Sequence, residues 1–229
     1  MKQLFLFAAT LLVCLSAQAQ EPREVQHFAH RASRFEFEEN TLEAFKATYN
    51  KGIRGYETDI RLTADGELVI SHDETLSRLT PSDGNVEKMT RKEISKVRTD
   101  GGNKILFADE LAKWLSKRDG VYVEWEMKSG GYDDEKLRQY CDKLYKTAMK
   151  NKPENSTYLF TSFDKRTLRM MQSLHPDADL MLIIGKPISD DCINQALELG
   201  VKRLACNMGG TSRDMVMKAK KAGLIVSLW

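Results

Sequence analysis

Two of the four histidines in the chain lie at the ends of predicted strands, and each stands directly before a charged residue. His30 precedes Arg31, and His72 precedes Asp73. Because imidazole titrates near neutral pH, two histidines beside one reaction centre can act as general base and general acid. A single histidine at a strand end is more often structural. The pair stands among acidic and cationic residues, and it therefore predicts acid–base catalysis by His30 and His72.

Three carboxylates accompany the histidines. Glu57 and Asp59 are two residues apart on a predicted strand, so their side chains share one face, and Glu126 ends the strand expected beside it. Buried like charges are costly unless a partner or a metal ion offsets them. Three oxygen ligands with room for water suit Mg²⁺ or Ca²⁺. The alternative is that these acids face solvent or form ion pairs with Arg31 and Lys128.

Arg31 and Lys128 are the predicted cationic residues: Arg31 directly follows His30, and Lys128 lies two residues after Glu126. An arginine can form two parallel hydrogen bonds with a phosphate, whereas a lysine acts as a point charge. Together with a metal ion they could neutralise a phosphodiester and its transition state. Ion pairing with the three acids remains open, and the two roles can coexist.

An alternation of predicted strands and helices positions these residues. Strands are predicted at residues 26–29, 56–62, 68–71, 121–127, 157–162, 180–184, 203–206 and 224–229. Helices are predicted at residues 40–51, 108–116, 133–150, 164–174, 190–199 and 212–222. Such alternation builds a parallel sheet with helical crossovers. The number of units predicts an α/β fold of the TIM-type (β/α)8 barrel class, with a doubly wound open sheet as the alternative.

The strand count predicts an incomplete barrel. Residues 62 and 68 are joined by a short turn containing Asp65-Gly66, and so short a link joins antiparallel strands. Residues 68–71 are therefore expected to form a hairpin arm outside the barrel, which leaves seven barrel strands. We expect that the last strand lies beyond Trp229 or that a partner completes the fold. Residues from about 64 to 107 are predicted to be an insertion after barrel strand 2 that covers one side of the active site.

The N-terminus has the pattern of a secretory signal peptide. Lys2 is followed by an apolar run at residues 4–15 and by Ala-Gln-Ala at residues 17–19. The pattern predicts cleavage after Ala19, export to the periplasm or the medium, and a domain over residues 20–229 with no integral membrane segment. A lipoprotein anchored through Cys14 fits less well, because the apolar run before that cysteine is short.

Composition narrows the classes of function. A hydrophobic content of 41% and a charged content of 30% are typical of a soluble domain with a core. The net charge of +2 argues against binding nucleic acid by bulk charge, so an anionic substrate needs a local site. After cleavage, Cys141, Cys192 and Cys206 would remain, and their spacing predicts neither a disulfide nor a metal site.

Taken in order, these motifs resemble the glycerophosphodiester phosphodiesterase family. The resemblance extends from about residue 28 to residue 229. The matching segments are residues 29–31 (Ala-His-Arg), 39–45 (Glu-Asn-Thr-Leu-Glu-Ala-Phe), 57–63 (Glu-Thr-Asp-Ile-Arg-Leu-Thr), 65–66 (Asp-Gly), 72–76 (His-Asp-Glu-Thr-Leu), 126–128 (Glu-Met-Lys) and 162–164 (Ser-Phe-Asp).

The resemblance implies metal-dependent hydrolysis of a glycerophosphodiester, a small molecule, to glycerol 3-phosphate and an alcohol. It also implies a TIM-type barrel and a Ca²⁺ or Mg²⁺ ion. The implied roles are acid–base catalysis for His30 and His72, metal binding for Glu57, Asp59 and Glu126, phosphate binding for Arg31 and Lys128, and a place in the substrate pocket for Trp229. The alternatives are a sphingomyelinase D-like phospholipid lyase and a non-catalytic protein that binds glycerophosphodiesters.

Two positions depart from the family pattern, and both lie in the loop after the first strand. Ala32 stands where the family usually has glycine, and Glu38 stands where it usually has proline. Neither change removes a predicted catalytic group. Both are expected to alter the first loop and hence the choice of substrate.

Overall fold

Seven parallel strands and one antiparallel arm form a single sheet in residues 25–229, the part of the chain that the computed structural model describes. The strands are β1 (Phe28–Ala29), β2 (Gly55–Leu62), β3 (Leu68–Ile70), β4 (Tyr122–Met127), β5 (Thr157–Ser162), β6 (Leu180–Ile184), β7 (Arg203–Cys206) and β8 (Ile225–Leu228). Their order is β1-β2-β4-β5-β6-β7-β8, and β3 pairs with β2. The first strand was predicted at residues 26–29, and the observed β1 is shorter, at Phe28–Ala29.

The helices follow the predicted alternation. They are α1 (Leu42–Asn50), α2 (Arg91–Ile94), α3 (Ala108–Leu115), α4 (Asp134–Met149), α5 (Lys165–Leu174), α6 (Asp190–Leu199) and α7 (Arg213–Lys221). Most begin after a residue whose side chain accepts a hydrogen bond from the first turn, as Thr41, Asp133, Ser189 and Ser212 do. Gly200 ends α6 in the left-handed conformation that favours glycine.

The strand order confirms the (β/α)8 barrel class, with seven parallel barrel strands in residues 25–229. Neighbouring strands along the sheet are consecutive in the chain, apart from β3, and all pairs except β2–β3 are parallel. A doubly wound sheet would reverse direction at a switch point, and this sheet does not. The antiparallel pairing of Ile60 with Ile70 and of Leu62 with Leu68 confirms that β3 is a hairpin arm.

The main core lies between the sheet and its helices. It includes the fully buried side chains of Tyr56, Ile60, Trp125 and Phe160. Because side chains alternate along a strand, the residues between them point to the opposite face, which becomes the barrel interior. A smaller inner cluster contains Leu159, Met181, Ile183 and Ala205. Glu57, Asp59, Glu124 and Glu126 also lie on this inner face.

The segment predicted as an insertion, about residues 64–107, has a core of its own. Its buried cluster contains Val69, Leu76, Val86, Ile94 and Phe107. It contains β3, a short 3₁₀ helix at Val86–Lys88 and α2, which begins with a capping box between Thr90 and Glu93. The sequence predicted no helix in this segment. Widely spaced apolar residues form the cluster, and their spacing carries no helical or strand period.

The predicted signal peptide at residues 1–19 and the possible lipid attachment site Cys14 lie outside the described residues. No helix among residues 25–229 is both long and apolar enough to cross a membrane. Cys141, Cys192 and Cys206 are buried and carry free thiols.

Candidate active site

Three carboxylates meet on the inner face of the sheet. Glu57 and Asp59 project from β2 and Glu126 projects from β4, in the register that pairs Asp59 with Glu126. All three residues are buried, and one oxygen of each lies within 4.8 Å of the others. The structure thus brings together the three acids that were predicted as metal ligands.

The charges of these acids are only partly compensated. Burial and the neighbouring Asp59 and Glu126 raise the pKa of Glu57 well above its ordinary range. Burial and Asp59 also raise the pKa of Glu126. Lys128 Nζ lies 3.2 Å from Asp59 Oδ1 and 2.6 Å from Glu126 Oε1. Burial alone would lower the pKa of Lys128, but the two acids outweigh burial and raise it.

Glu57 is the least compensated member of the cluster. Its Oε2 accepts a hydrogen bond of 3.0 Å from the backbone N–H of Arg31. Its Oε1 is buried and has no hydrogen-bond partner within residues 25–229. An orphaned carboxylate oxygen beside two further acids is the donor set that a hard divalent cation prefers. The residues therefore fit a divalent metal ion.

His30 and Arg31 follow β1 and lie over this cluster. His30 Nε2 lies 3.6 Å from Glu57 Oε2, and its side chain is about half exposed. Partial burial, aided by the positive charge of Arg31, lowers the pKa of His30. Arg31 is buried, with Nη1 3.2 Å from Glu39 Oε1 and Nε 3.6 Å from Asp59 Oδ2. The ion pairing that was left open for Arg31 is present.

Asn40 connects the first loop to the acid cluster. Its Nδ2 donates a hydrogen bond of 3.0 Å to Asp59 Oδ2, and its Oδ1 accepts one of 3.0 Å from the Thr58 hydroxyl. Sequence reasoning gave Asn40 no role, although it lies in one of the matching segments. The signal that could have found it is an amide directly before the helix cap Thr41, on a loop that must return to the site.

His72 is held by the arm that follows β3. Its Nδ1 lies 2.7 Å from Asp73 Oδ1, and Asp73 Oδ2 accepts a hydrogen bond of 2.5 Å from Arg78 Nε. Arg78 also donates to both oxygens of Glu39, at 3.0 and 2.6 Å. Because Glu39 also contacts Arg31, one ionic chain joins His72 to the first loop. Sequence reasoning missed Arg78, which is 39 residues from Glu39.

Lys128 and Trp229 both lie near an aromatic residue that was not predicted to be functional. Phe163 follows β5, and its ring centroid is 5.9 Å from Lys128 Nζ and 5.9 Å from the Trp229 ring centroid. Phe163 and Trp229 are both about half exposed. The predicted substrate residue Trp229 is therefore linked to the site through Phe163, rather than by contact with the acids.

A fourth buried acid, Glu124, lies one layer below the cluster. It is two residues before Glu126 on the same strand and pairs in register with Glu57. Burial, followed by the charge of Glu126, raises its pKa to about 8. Sequence reasoning missed it, although the two-residue period that linked Glu57 and Asp59 applies equally to β4.

The chain is similar in sequence to known phosphodiesterases. Residues 30–229 match the sequence profile of the glycerophosphoryl diester phosphodiesterase family. A glycerophosphodiester phosphodiesterase from Caldanaerobacter subterraneus subsp. tengcongensis is 32% identical over 167 residues, which are 68% of this chain and 65% of that protein. The match thus spans just under two thirds of that relative. Human glycerophosphodiester phosphodiesterase 1 is 33% identical over 42% of this chain and 30% of its own length.

Solved structures show the same fold. A phosphodiesterase from Oleispira antarctica, in complex with the product sn-glycerol-3-phosphate, superposes with a TM-score of 0.80 at 23% identity and covers 90% of this chain and 84% of its own. A glycerophosphodiester phosphodiesterase from Parabacteroides distasonis gives a TM-score of 0.73 at 20% identity, over 88% of this chain and 82% of its own. With the family profile matched over residues 30–229, the chain belongs to the glycerophosphoryl diester phosphodiesterase family.

Proposed function

We propose that this protein hydrolyses glycerophosphodiesters to glycerol 3-phosphate and an alcohol. The observation that carries the proposal is the buried acid cluster of Glu57, Asp59 and Glu126 with His30 beside it. The family match and the product found in the Oleispira antarctica structure support the choice of substrate. Mg²⁺ or Ca²⁺ is the proposed metal, because the three ligands are all carboxylate oxygens.

The chain's own residues supply binding and proton transfer. When bound, a divalent ion supplies positive charge that offsets the charge of the phosphate. Lys128 forms ion pairs with Asp59 and Glu126 and adds a second positive charge. Arg31 is occupied by Glu39 and Asp59, so its contribution is to hold the first loop as well as to add charge near the phosphate.

The two histidines move the protons. One histidine accepts the proton of the glycerol hydroxyl next to the phosphate, whose oxygen then forms a bond to phosphorus. The bond from phosphorus to the alcohol oxygen breaks, and the other histidine gives that oxygen its proton. Water then opens the cyclic phosphate by the reverse exchange of protons and leaves glycerol 3-phosphate. Asp73, 2.7 Å from Nδ1 of His72, orients that ring.

The test is turnover of glycerophosphocholine, followed by phosphorus NMR, with and without EDTA. We expect glycerol 3-phosphate from the wild-type protein, loss of turnover with EDTA, and recovery with Mg²⁺ or Ca²⁺. The double variant H30A/H72A should lose activity, whereas E154Q, at an exposed glutamate, should not. Full activity of the double variant would overturn the histidine assignment.

The same experiment separates the alternative functions. A cyclic phosphate that accumulates as the end product, above all from a lysophospholipid, would assign a sphingomyelinase D-like lyase. Saturable binding of glycerophosphocholine without turnover, with either metal present, would assign a binding protein.

We also propose that the protein is exported. The support is the pattern at residues 1–19, which lie outside the described structure. N-terminal sequencing of the protein purified from the native cell should begin at Gln20. An intact Met1 in protein recovered from the cytosol would refute export.

A further inference from the structure

The first loop, residues 30–41, carries His30 and Arg31 and has an unusual backbone. Four of its non-glycine residues have positive φ: Arg31 (50°), Ala32 (58°), Ser33 (78°) and Asn40 (58°). L-residues rarely adopt this conformation, because Cβ approaches the following carbonyl oxygen. Ala32 is fully buried, so its side chain cannot relax towards solvent. The loop therefore depends on contacts with the rest of the protein to keep its shape.

The two ends of the loop are tied to β2 through Arg31 and Asn40, and Glu38 ties its later part to the insertion. Glu38 Oε2 accepts hydrogen bonds of 2.5 Å from the Thr99 hydroxyl and from Asn103 Nδ2. Its Oε1 accepts one of 2.5 Å from the backbone N–H of Gly101. Although burial acts to raise the pKa of Glu38, these three bonds outweigh it and hold the pKa below its ordinary value.

The receiving turn, residues 99–103, is closed by its own hydrogen bonds. The backbone N–H of Thr99 donates to the Asn103 carbonyl at 2.9 Å, and the N–H of Gly102 donates to the Thr99 carbonyl at 2.8 Å. At Gly101, an added Cβ would lie 2.6 Å from the carboxyl carbon of Glu38. The turn thus has both the donors and the free space that a carboxylate requires.

We propose that Glu38 is a positioning residue for catalysis: it clamps the strained first loop onto the insertion turn and so holds His30 and Arg31 over the acid cluster. The backbone carbonyl of Glu38 also accepts a 2.9 Å hydrogen bond from Thr41, the cap of α1. Glu38 contacts neither the three acids nor the histidines in the structure, so it acts through the loop. Only the kinetic test of this proposal depends on the proposed hydrolysis.

Two substitutions break the clamp from opposite sides. E38A removes the acceptor, and G101A leaves every polar group in place but puts a methyl group where the carboxylate lies. We expect each to lower kcat about tenfold, because small displacements of catalytic groups have large effects on rate. KM should change less than about twofold. The controls are E154Q and G130A, since a Cβ at Gly130 meets nothing within 4 Å.

Non-additivity identifies the shared contact. If Glu38 and Gly101 act through one clamp, the double variant E38A/G101A should be no slower than either single variant. The glutamine oxygen in E38Q can still accept two of the three hydrogen bonds, so E38Q should lose less activity than E38A. N103A removes one donor and supplies a milder break if E38A does not fold.

Recovery of kcat on relief of backbone strain distinguishes a positioning role of Glu38 from a purely structural one. Glycine adopts positive φ without cost. Adding A32G to E38A should therefore raise kcat at least about threefold, whereas A32G alone should change the kcat of the wild type less than about twofold. Multiplicative losses in E38A/G101A, or folded E38A with kcat within twofold of wild type, would overturn the proposal.

Hydrogen exchange tests the clamp without activity. Amides of residues 30–41 should exchange faster in E38A and G101A than in the wild type, whereas those of α4 should not change. If the wild type turns over no glycerophosphodiester but this exchange pattern is found, the proposed function fails and the clamp stands. Unchanged exchange in residues 30–41 refutes the clamp.

Discussion

Replacement of Glu57 by glutamine should stabilise the metal-free protein while it weakens metal binding. Each like-charged pair among Glu57, Asp59 and Glu126, with oxygens within 4.8 Å, costs about 3.5 kcal/mol or more at an effective dielectric constant of about 20. Lys128 contacts the other two acids, so Glu57 carries the least compensated charge. We expect E57Q to gain on the order of 2 kcal/mol, or about 4–8 °C in Tm.

The pH dependence of this gain has a defined sign. Because the folded-state pKa of Glu57 is raised, its penalty is absent below the unfolded pKa near 4.3 and grows as pH rises towards the folded pKa. The difference in Tm between E57Q and wild type should therefore be small at pH 4 and largest at alkaline pH.

Thermal unfolding in EDTA and in saturating Mg²⁺ or Ca²⁺ measures both effects. Metal at about 100 times its Kd should stabilise the wild type by about 2.7 kcal/mol, and E57Q by much less. E154Q makes the same chemical change on the surface and should follow the wild type in both buffers. A Tm of E57Q in EDTA at or below that of the wild type would refute the assignment of Glu57 to an uncompensated cluster.

Three further outcomes follow from the site. R78K should lower kcat about tenfold with a Tm within 2–3 °C of wild type, because a lysine cannot bridge Glu39 and Asp73, whereas a half-exposed ion pair adds little stability. The pKa of Asp73 is lowered, since hydrogen bonds from His72 and Arg78 outweigh burial. The stability that the Asp73 carboxylate contributes is therefore present above pH 4 and lost as pH falls through its folded pKa. The free energies of unfolding of D73N and wild type, measured in urea, should converge below pH 4. F163A should raise KM roughly two- to tenfold with little change in kcat, as measured by steady-state kinetics, if its ring contacts the substrate.

Local patterns were enough to predict the barrel and the acids. The strands at residues 157–162, 180–184 and 203–206 were predicted at their observed bounds, because each has an apolar centre and lies between polar turns. Glu57 and Asp59 were placed together because a strand has a two-residue period. These features depend on neighbours in sequence, and the sequence displays them directly.

Contacts between distant segments were not predictable in the same way. Arg78 meets Glu39 across 39 residues, and Asn103 meets Glu38 across 65. The positive φ of Ala32 is also hidden, since alanine carries no signal for a left-handed backbone. The two contacts form where the insertion packs against the first loop, and the insertion has its own small core around Ile94 and Phe107.

The two departures from the family pattern, Ala32 and Glu38, therefore act together on the shape of the first loop. Alanine at position 32 adds strain to the loop, and glutamate at position 38 supplies the clamp that opposes it. Proline at position 38 has no acceptor side chain, so E38P alone should lower kcat about as much as E38A. With A32G present, the loss of kcat caused by E38P should be about fivefold smaller, because glycine removes about 1 kcal/mol of strain at a positive φ. Independent, multiplicative effects of E38P and A32G on kcat would show that the two positions do not act on the same loop geometry.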